Sequence, residues 1–184
     1  MNLHPLAQFL HCPVCGAAPF AVRNEKAKQC SACGFIYYFN PSAAVACFIQ
    51  NARGELLLVR RAKDPARGSL DLPGGFVDMH ETAEEAVRRE VQEETGLCLE
   101  GVRYLFSLPN IYPYGGFNVH TLDLFYDCRV PHFDGLRAAD DASGILILPP
   151  SGLHPEDFGL HSIQKGVRIY KERQNTFFGN AGCD

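Results

Sequence analysis

Residues 75–97 read GFVDMHETAEEAVRREVQEETGL, and this stretch decides how the rest of the chain is interpreted. Thr82 followed by Glu85 forms a capping-box pattern, in which each side chain accepts a hydrogen bond from the backbone N–H near the other residue. Good helix formers then continue to Thr95, and the glycine that follows is the residue type that commonly ends a helix. The sequence therefore predicts a helix from about Ala83 to Thr95.

One face of this predicted helix is acidic. With a rotation of about 100° per residue, Glu93 and Glu94 fall on either side of Glu90, within an arc of about 100°. Carboxylates held this close repel and raise one another's pKa unless a cation lies among them. Magnesium fits such a set because it prefers oxygen ligands and is usually completed by waters and substrate phosphates. We expect a magnesium site on this face.

The remaining charges of the helix have structural roles in this interpretation. Arg89 lies one turn from both Glu85 and Glu93 and can pair with either of them. Glu81, Glu84 and Glu85 are expected to point away from the metal-binding face. The alternative is that all of the glutamates simply form an acidic, solvated surface.

A glycine-rich loop favours the metal site over a solvated surface. Residues 72–75 read LPGG and lie one short connection before the helix. Because the two glycines carry no side chain, backbone carbonyls and amides can come close to a metal or a phosphate there.

The whole stretch resembles the Nudix box, which it matches at nine specified positions in fixed register. The matching residues are Gly75, Glu81, Arg89, Glu90, Val91, Glu93, Glu94, Gly96 and Leu97. The resemblance implies that the carboxylates of Glu90, Glu93 and Glu94, with the carbonyl of Gly75, bind Mg²⁺ or Mn²⁺. It also implies that Arg89 and Glu81 orient these ligands, so that the catalytic set is Glu81, Arg89, Glu90, Glu93 and Glu94.

The resemblance further implies hydrolysis of a phosphoanhydride in a nucleoside diphosphate linked to another group. Divalent ions would neutralise the phosphate oxygens and make hydroxide available near neutral pH. The general base is either a glutamate of the box, here Glu93, or an acid on a late loop, here Asp140 or Asp141. We favour Glu93.

Four of the eight cysteines have a pattern of their own. Cys12 and Cys15 form one CxxC-Gly knuckle, and Cys30 and Cys33 form a second one after fourteen intervening residues. This spacing is typical of a four-cysteine zinc site, which is structural because no coordination position stays open. Disulfides are the alternative, but a reducing cytosol disfavours them. We predict a zinc-ribbon β domain over residues 1–40.

The rest of the chain predicts one α/β domain over residues 41–175 and a short tail over 176–184. Apolar runs alternating with turns indicate a mixed sheet, and a second helix is predicted over 162–174, with one helix on each face. The Nudix resemblance implies the same α/β/α sandwich. The expected strands cover residues 43–50, 55–60, 70–72, 98–108, 119–130 and 145–148.

The segment 109–117, PNIYPYGGF, is predicted to be an irregular loop. Its rigid rings, Tyr112, Tyr114 and Phe117, can stack on a base, while its glycines allow close approach. The alternative is an ordinary crossover packed by its own rings. We expect these three residues to contact the substrate.

The composition of the chain limits which binding partners are expected. The 184 residues are 46% hydrophobic and carry a formal charge of −4, which provides no general attraction to nucleic acid or anionic membranes. The first residues lack a basic start, and no apolar run of about 18 residues occurs, so we expect a cytoplasmic protein without a membrane partner. The sequence leaves open whether the chain forms a homodimer.

The substrate is predicted to be a small nucleotide, an adenine-containing diphosphate such as ADP-ribose. A zinc ribbon directly ahead of a Nudix domain resembles the NADH pyrophosphatases, so NADH or NAD is the alternative. Those enzymes carry a tryptophan-containing signature, and this chain has no tryptophan. An alternative of another class is a non-catalytic module that senses nucleotides or binds nucleic acid.

Overall fold

The computed structural model describes residues 4–136 and 142–178. The chain divides into two compact units, Met1–Pro41 and Ser42–Asp184. No helix within the described ranges is both long enough and apolar enough to cross a membrane.

The first unit is a three-stranded antiparallel sheet. Its strands are β1 (Phe20–Asn24), β2 (Ala27–Cys30) and β3 (Ile36–Tyr38). Phe20 packs with Cys12 and Cys30 in a very small core, to which Ala17 and Phe35 add partly buried surface. A core of this size needs a further staple, as small domains usually do.

The second unit is built on a six-stranded mixed sheet in the order β6-β5-β4-β8-β7, with β9 paired to β5. Strands β4 and β8 run parallel in the centre, and the other pairs are antiparallel. The strands are β4 (Ser42–Gln50), β5 (Leu56–Arg61), β6 (Leu70–Asp71), β7 (Gly101–Tyr114), β8 (Phe117–Arg129) and β9 (Ala142–Leu148).

One helix covers each face of this sheet. Helix α1 (Ala83–Thr95) packs on the face that carries Val45 and Ile49, and helix α2 (His161–Phe178) packs on the face that carries Phe48. Successive residues of β4 alternate between the two cores because side chains of a strand point to opposite faces. The predicted α/β/α sandwich with a mixed sheet is therefore confirmed.

The ends of helix α1 agree with the sequence. Thr82 and Glu85 form the predicted capping box, and Gly96 closes the helix in the left-handed conformation, with φ of 74°. The helix buries Val87 and Val91, which lie one turn apart on one stripe.

The prediction of an irregular loop over 109–117 is wrong. Strands β7 and β8 continue through this segment and form a long hairpin, in which Tyr114 pairs with Phe117. Gly115 and Gly116 make the two-residue turn, with φ of 56° and 77°. A Gly-Gly pair between strand residues is a known signal for such a turn, so the sequence did contain the information.

Other boundaries differ from the prediction by a few residues. Helix α2 runs over His161–Phe178 and is thus longer at both ends than the predicted span of 162–174. Strand β7 begins at Gly101 rather than at position 98. The two late-loop acids, Asp140 and Asp141, lie outside the described residues, as do residues 179–184 of the predicted tail.

Candidate active site

The glycine-rich loop takes the place of a strand beside β4. Strands β4 and β5 pair only where Ile49 meets Leu57 and at the next position. Farther along β4, the Val45 N–H donates to the Gly75 carbonyl at 2.8 Å, and the Cys47 N–H donates to the Pro73 carbonyl at 2.9 Å. The loop is thereby fixed along the strand by backbone hydrogen bonds.

Both glycines of the loop are required by close contacts. A Cβ on Gly74 would lie 2.1 Å from the Val45 carbonyl oxygen, and its φ of 148° disfavours any side chain. A Cβ on Gly75 would lie 2.4 Å from Oε1 of Glu90. The Glu90 carboxylate therefore packs directly against the backbone of Gly75.

Two of the predicted metal ligands face this loop. The Gly74 N–H donates to a carboxylate oxygen of Glu94 at 3.0 Å. The side chain of Glu90 is only 14% exposed. Its burial raises the pKa of Glu90, and the hydrogen bond from Arg89 opposes that shift. The helix thus places two carboxylates, those of Glu90 and Glu94, against the backbone of the glycine-rich loop.

Arg89 links the carboxylates of the box. Its guanidinium donates two hydrogen bonds to Glu81, both 2.9 Å long, and one to Glu90 at 2.8 Å. A longer bond of 3.3 Å reaches Glu93, and a 3.0 Å bond reaches the Phe76 carbonyl. The hydrogen bond with Arg89 lowers the pKa of Glu81. Arg89 therefore anchors the helix face to the loop.

The structure selects one of the two partners left open for Arg89, and it corrects one expectation, which concerns Glu81. Glu85 is bound by Thr82 in the capping box, so Arg89 pairs with Glu93 and not with Glu85. Glu81 was expected to point away from the metal-binding face, but it turns toward Arg89. The reason is that Glu81 precedes the helix, where the periodicity of a helix does not apply.

A cavity of about 430 Å³ opens beside these carboxylates. Its wall contains Gly75, Glu90 and Glu94, while Glu93, with a 61% exposed side chain, is not part of the lining. A second cavity of about 310 Å³ shares Gly74 and Glu94 with the first and extends toward the end of β5. The two cavities meet beside Gly74 and Glu94, while Glu90 lines only the first.

The three predicted substrate rings differ in position. Tyr112 lines both cavities, and Tyr114 lines only the second and is 70% exposed. Phe117 lines neither of them. Phe76, whose ring meets Tyr112 edge to face with centroids 6.3 Å apart, also lines the first cavity.

The sequence interpretation missed several polar residues of the first cavity. Arg61 forms an ion pair with Asp71 at 2.5 Å and donates to the Tyr112 hydroxyl at 3.2 Å. Burial raises the pKa of Asp71, and Arg61 opposes that shift. Asp123, from β8, also lines the cavity and is 7% exposed. The sequence did contain a signal for these residues, because a charged residue at an inward position of an otherwise apolar strand is unusual and often functional.

The donor set near the loop fits a hard divalent cation. Glu90, Glu93 and Glu94 offer carboxylate oxygens, and the Gly75 carbonyl has a second lone pair beside the one that accepts from Val45. In the described part of the chain, the carboxylates of the box do not form a group with all oxygens within 4.8 Å of one another. Arg89 lies between them and neutralises part of their charge.

The four knuckle cysteines do form such a group, with all sulfurs within 4.8 Å of one another. The Sγ atoms of Cys12 and Cys33 lie 3.7 Å apart, and those of Cys15 and Cys30 lie 3.6 Å apart. A tetrahedral zinc site with bonds of about 2.3 Å requires sulfurs about 3.8 Å apart. The backbone N–H of Cys33 lowers the pKa of Cys30 to about 7. The backbone N–H of Phe35 lowers the pKa of Cys33, but hydrogen bonds with the other sulfurs and burial outweigh it and raise this pKa to about 12. This cluster is compatible with zinc.

The pattern of the NUDIX domain matches residues 40–157, which is more than half of the chain. The chain therefore belongs to the Nudix family.

Two relatives and one solved structure illustrate the similarity. An ADP-ribose pyrophosphatase of Methanocaldococcus jannaschii is 37% identical over 107 residues, covering 57% of this chain and 60% of that protein. A NAD-capped RNA hydrolase NudC of Chromobacterium violaceum is 37% identical over 135 residues, covering 71% of this chain and 46% of that protein. The chain thus spans about half the length of these relatives. A NUDIX hydrolase from Nitrosomonas europaea, 20% identical, shares the fold with a TM-score of 0.66, over 90% of this chain and 92% of that one.

Proposed function

We propose that this protein hydrolyses the diphosphate bond of a nucleoside diphosphate linked to another group, with Mg²⁺ or Mn²⁺ as cofactor. The observation that carries the proposal is the packing of Glu90 and Glu94 against Gly74 and Gly75 at the junction of two cavities. A diphosphate at this junction leaves one cavity for each half of the substrate.

In this proposal, Glu90, Glu93, Glu94 and the Gly75 carbonyl hold the metal. A bound divalent ion supplies charge neutralisation at the phosphates and a water of lowered pKa. Arg89 holds Glu90 and, more weakly, Glu93 in place. Glu93 is the more exposed carboxylate and acts as the general base toward the attacking water.

We infer that the preferred substrate is ADP-ribose or a related adenine diphosphate. The similarity to an ADP-ribose pyrophosphatase supports this choice, and the similarity to a NAD-capped RNA hydrolase keeps NADH or NAD as the alternative. A cavity of about 430 Å³ lies within the range of about 300–1,000 Å³ that is usual for small ligands.

The test of the proposed reaction is a screen with added magnesium or manganese. We expect hydrolysis of ADP-ribose by the wild type, and a loss of at least about 100-fold in kcat for Glu94→Gln, because a neutral amide is a much poorer metal ligand. Glu84→Gln, on the same helix but outside the cavity, is the matched control and should retain activity. Equal turnover by wild type and Glu94→Gln would contradict the proposal.

The ring that contacts the base is tested separately. We expect Tyr112→Ala to raise KM by roughly fivefold or more, since stacking on a base is worth about 1–3 kcal/mol. Phe117→Ala should change KM little, because Phe117 lines neither cavity. A larger rise in KM for Phe117→Ala than for Tyr112→Ala would show that the base lies nearer to the turn of the hairpin.

We also propose that Cys12, Cys15, Cys30 and Cys33 hold one structural zinc ion. The near-tetrahedral sulfur spacing supports this assignment. With this zinc, we propose a zinc ribbon over residues 1–40 ahead of a hydrolase domain over 41–175; helix α2 continues past the predicted start of the tail at 176, to Phe178.

A further inference from the structure

Asp123 is a buried carboxylate without a basic partner. It is 7% exposed, and among the described residues no lysine, arginine or histidine forms an ion pair with it. Its two oxygens accept hydrogen bonds from hydroxyl groups, from Thr121 at 2.6 Å and from Ser162 at 2.5 Å. A carboxylate has about four acceptor positions, so two remain after these bonds. Buried acceptors normally find donors.

The carboxylate of Asp123, with its two remaining acceptor positions, lines the first cavity. Asp123 and Thr121 are in its wall, as are Glu90 and Glu94, so the cavity joins the metal-binding carboxylates to Asp123. Asp71 lines the same cavity; burial raises its pKa, and the charge of Asp123 adds to that shift. A substrate bound to the glutamates through its diphosphate can extend toward Asp123.

The surroundings of Asp123 suit the ring of a base. Leu160 and Ile163 provide apolar wall, and Tyr112 provides an aromatic ring. Asn110 lies directly opposite Thr121 on the paired strand β7 and also lines the cavity. Apolar walls with a few polar groups at fixed places are typical of ligand sites. An amide side chain matches the edge of adenine, which offers both a donor and an acceptor.

We propose that Asp123 determines base specificity, by accepting a hydrogen bond from the exocyclic amine of adenine, with Asn110 beside it at the same edge. This inference rests on the proposed function. An amine donor would also occupy one of the two acceptor positions of Asp123 that the hydroxyl groups of Thr121 and Ser162 leave open.

The inference predicts discrimination against hypoxanthine, which carries an oxygen where adenine carries the amine. That oxygen would face the Asp123 carboxylate, and two acceptors cannot form a hydrogen bond. Sites built around a hydrogen bond reject an analogue that lacks the matching group much more strongly than apolar sites do. In Asp123→Asn, the new amide can donate to this oxygen, so the preference should move toward hypoxanthine.

The experiment compares ADP-ribose with its inosine counterpart in the wild type and in Asp123→Asn. We expect the ratio of the two kcat/KM values to favour adenine in the wild type and to fall by at least about tenfold in the variant. The ratio is independent of the fraction of folded enzyme, because both substrates are measured on one preparation. Equilibrium titrations with AMP and IMP provide the same comparison without turnover.

Ser162→Ala is the matched control. It removes one hydroxyl bond to Asp123 but leaves the carboxylate in the cavity, so the adenine preference should persist even if helix α2 is less stable. An unchanged ratio in Asp123→Asn would overturn the inference, as would a wild type that prefers a guanine derivative. Absence of hydrolysis of every nucleoside diphosphate derivative by the wild type, with adenine preference retained in the AMP and IMP titrations, would overturn only the proposed function.

Discussion

At the scale of single residues, the site depends on backbone positions that no side chain can occupy. Gly74 and Gly75 are adjacent, but they serve different neighbours. Gly74 faces the backbone of β4 at Val45, whereas Gly75 faces the movable carboxylate of Glu90. A strand cannot shift without disturbing the sheet, but a side chain can change its rotamer. The two glycines should therefore respond differently to substitution.

We predict that Gly74→Ala lowers the free energy of unfolding by about 3 kcal/mol or more, because it combines a backbone clash with a strained φ. Gly75→Ala should cost less stability but reduce kcat by at least about tenfold, because it displaces Glu90. Denaturant unfolding and steady-state kinetics on both variants check this. Equal losses of stability in the two variants would contradict the view that Gly74 contacts rigid backbone while Gly75 contacts a movable side chain.

At the scale of elements, helix α1 is fixed at both ends by local interactions. Thr82 accepts from the Glu85 N–H at 3.2 Å, and the Glu85 carboxylate accepts from the Thr82 N–H at 2.7 Å. Gly96 ends the helix and donates its N–H to the Gln92 carbonyl at 3.0 Å. Because Glu90, Glu93 and Glu94 lie on this helix, its start and end set their rotation toward the loop.

Loss of the N-terminal cap should be measurable. We predict that Thr82→Ala lowers the free energy of unfolding by about 1 kcal/mol, the usual value for an N-cap residue. Thr82→Ser retains the hydroxyl and is the matched control. Chemical denaturation of the three proteins under one set of conditions is sufficient, and a loss of stability in Thr82→Ser equal to that in Thr82→Ala would show that packing, not capping, is responsible.

The same cap predicts a pH dependence. The hydrogen bond from the Thr82 backbone lowers the pKa of Glu85 in the folded state. The ionised carboxylate thus stabilises the protein above its unfolded pKa of about 4.3, and this contribution is lost as the pH falls through the lower folded value. The difference in unfolding free energy between wild type and Glu85→Gln should shrink as the pH falls below about 4. A constant difference would argue against this linkage.

At the scale of the whole molecule, the chain contains two units with different sources of stability. The second unit has a large core on each side of its sheet. The hydrophobic cluster of the first unit joins three buried residues, and two of these, Cys12 and Cys30, are themselves predicted zinc ligands. A unit of this size depends on its metal, because binding of the ion and folding are then one process.

We predict one zinc ion per chain by elemental analysis, and its loss in Cys30→Ser. Hydrogen exchange in Cys30→Ser should increase throughout β1, β2 and β3, while β4 and α1 should keep their protection. Cys128→Ser, which alters a buried cysteine of the second unit, is the control and should keep the zinc. Protein purified without chelator that contains no zinc would refute the assignment.

Features that depend on short, fixed spacing could be predicted from the amino-acid sequence. The capping box and the helix from Ala83 to Thr95 followed from patterns within a few residues, since helix geometry and turn chemistry act locally. The fold class followed from the order of the predicted elements and from the Nudix resemblance. The meeting of the four cysteine sulfurs was also expected from spacing alone. The Gly-Gly hairpin also depends on a local pattern, although the segment was predicted to be an irregular loop.

The residues that meet in the cavity could not be predicted from the sequence, because they are far apart along the chain. Arg61, Asn110 and Asp123 come from three different strands, and no periodicity relates residues across a sheet. The hydrogen-bond partners of Arg89 were likewise not predictable from spacing. They depend on how the segment before the helix folds back and brings Glu81 close to the guanidinium. Such contacts arise from strand register and loop closure, which a single sequence does not specify by spacing.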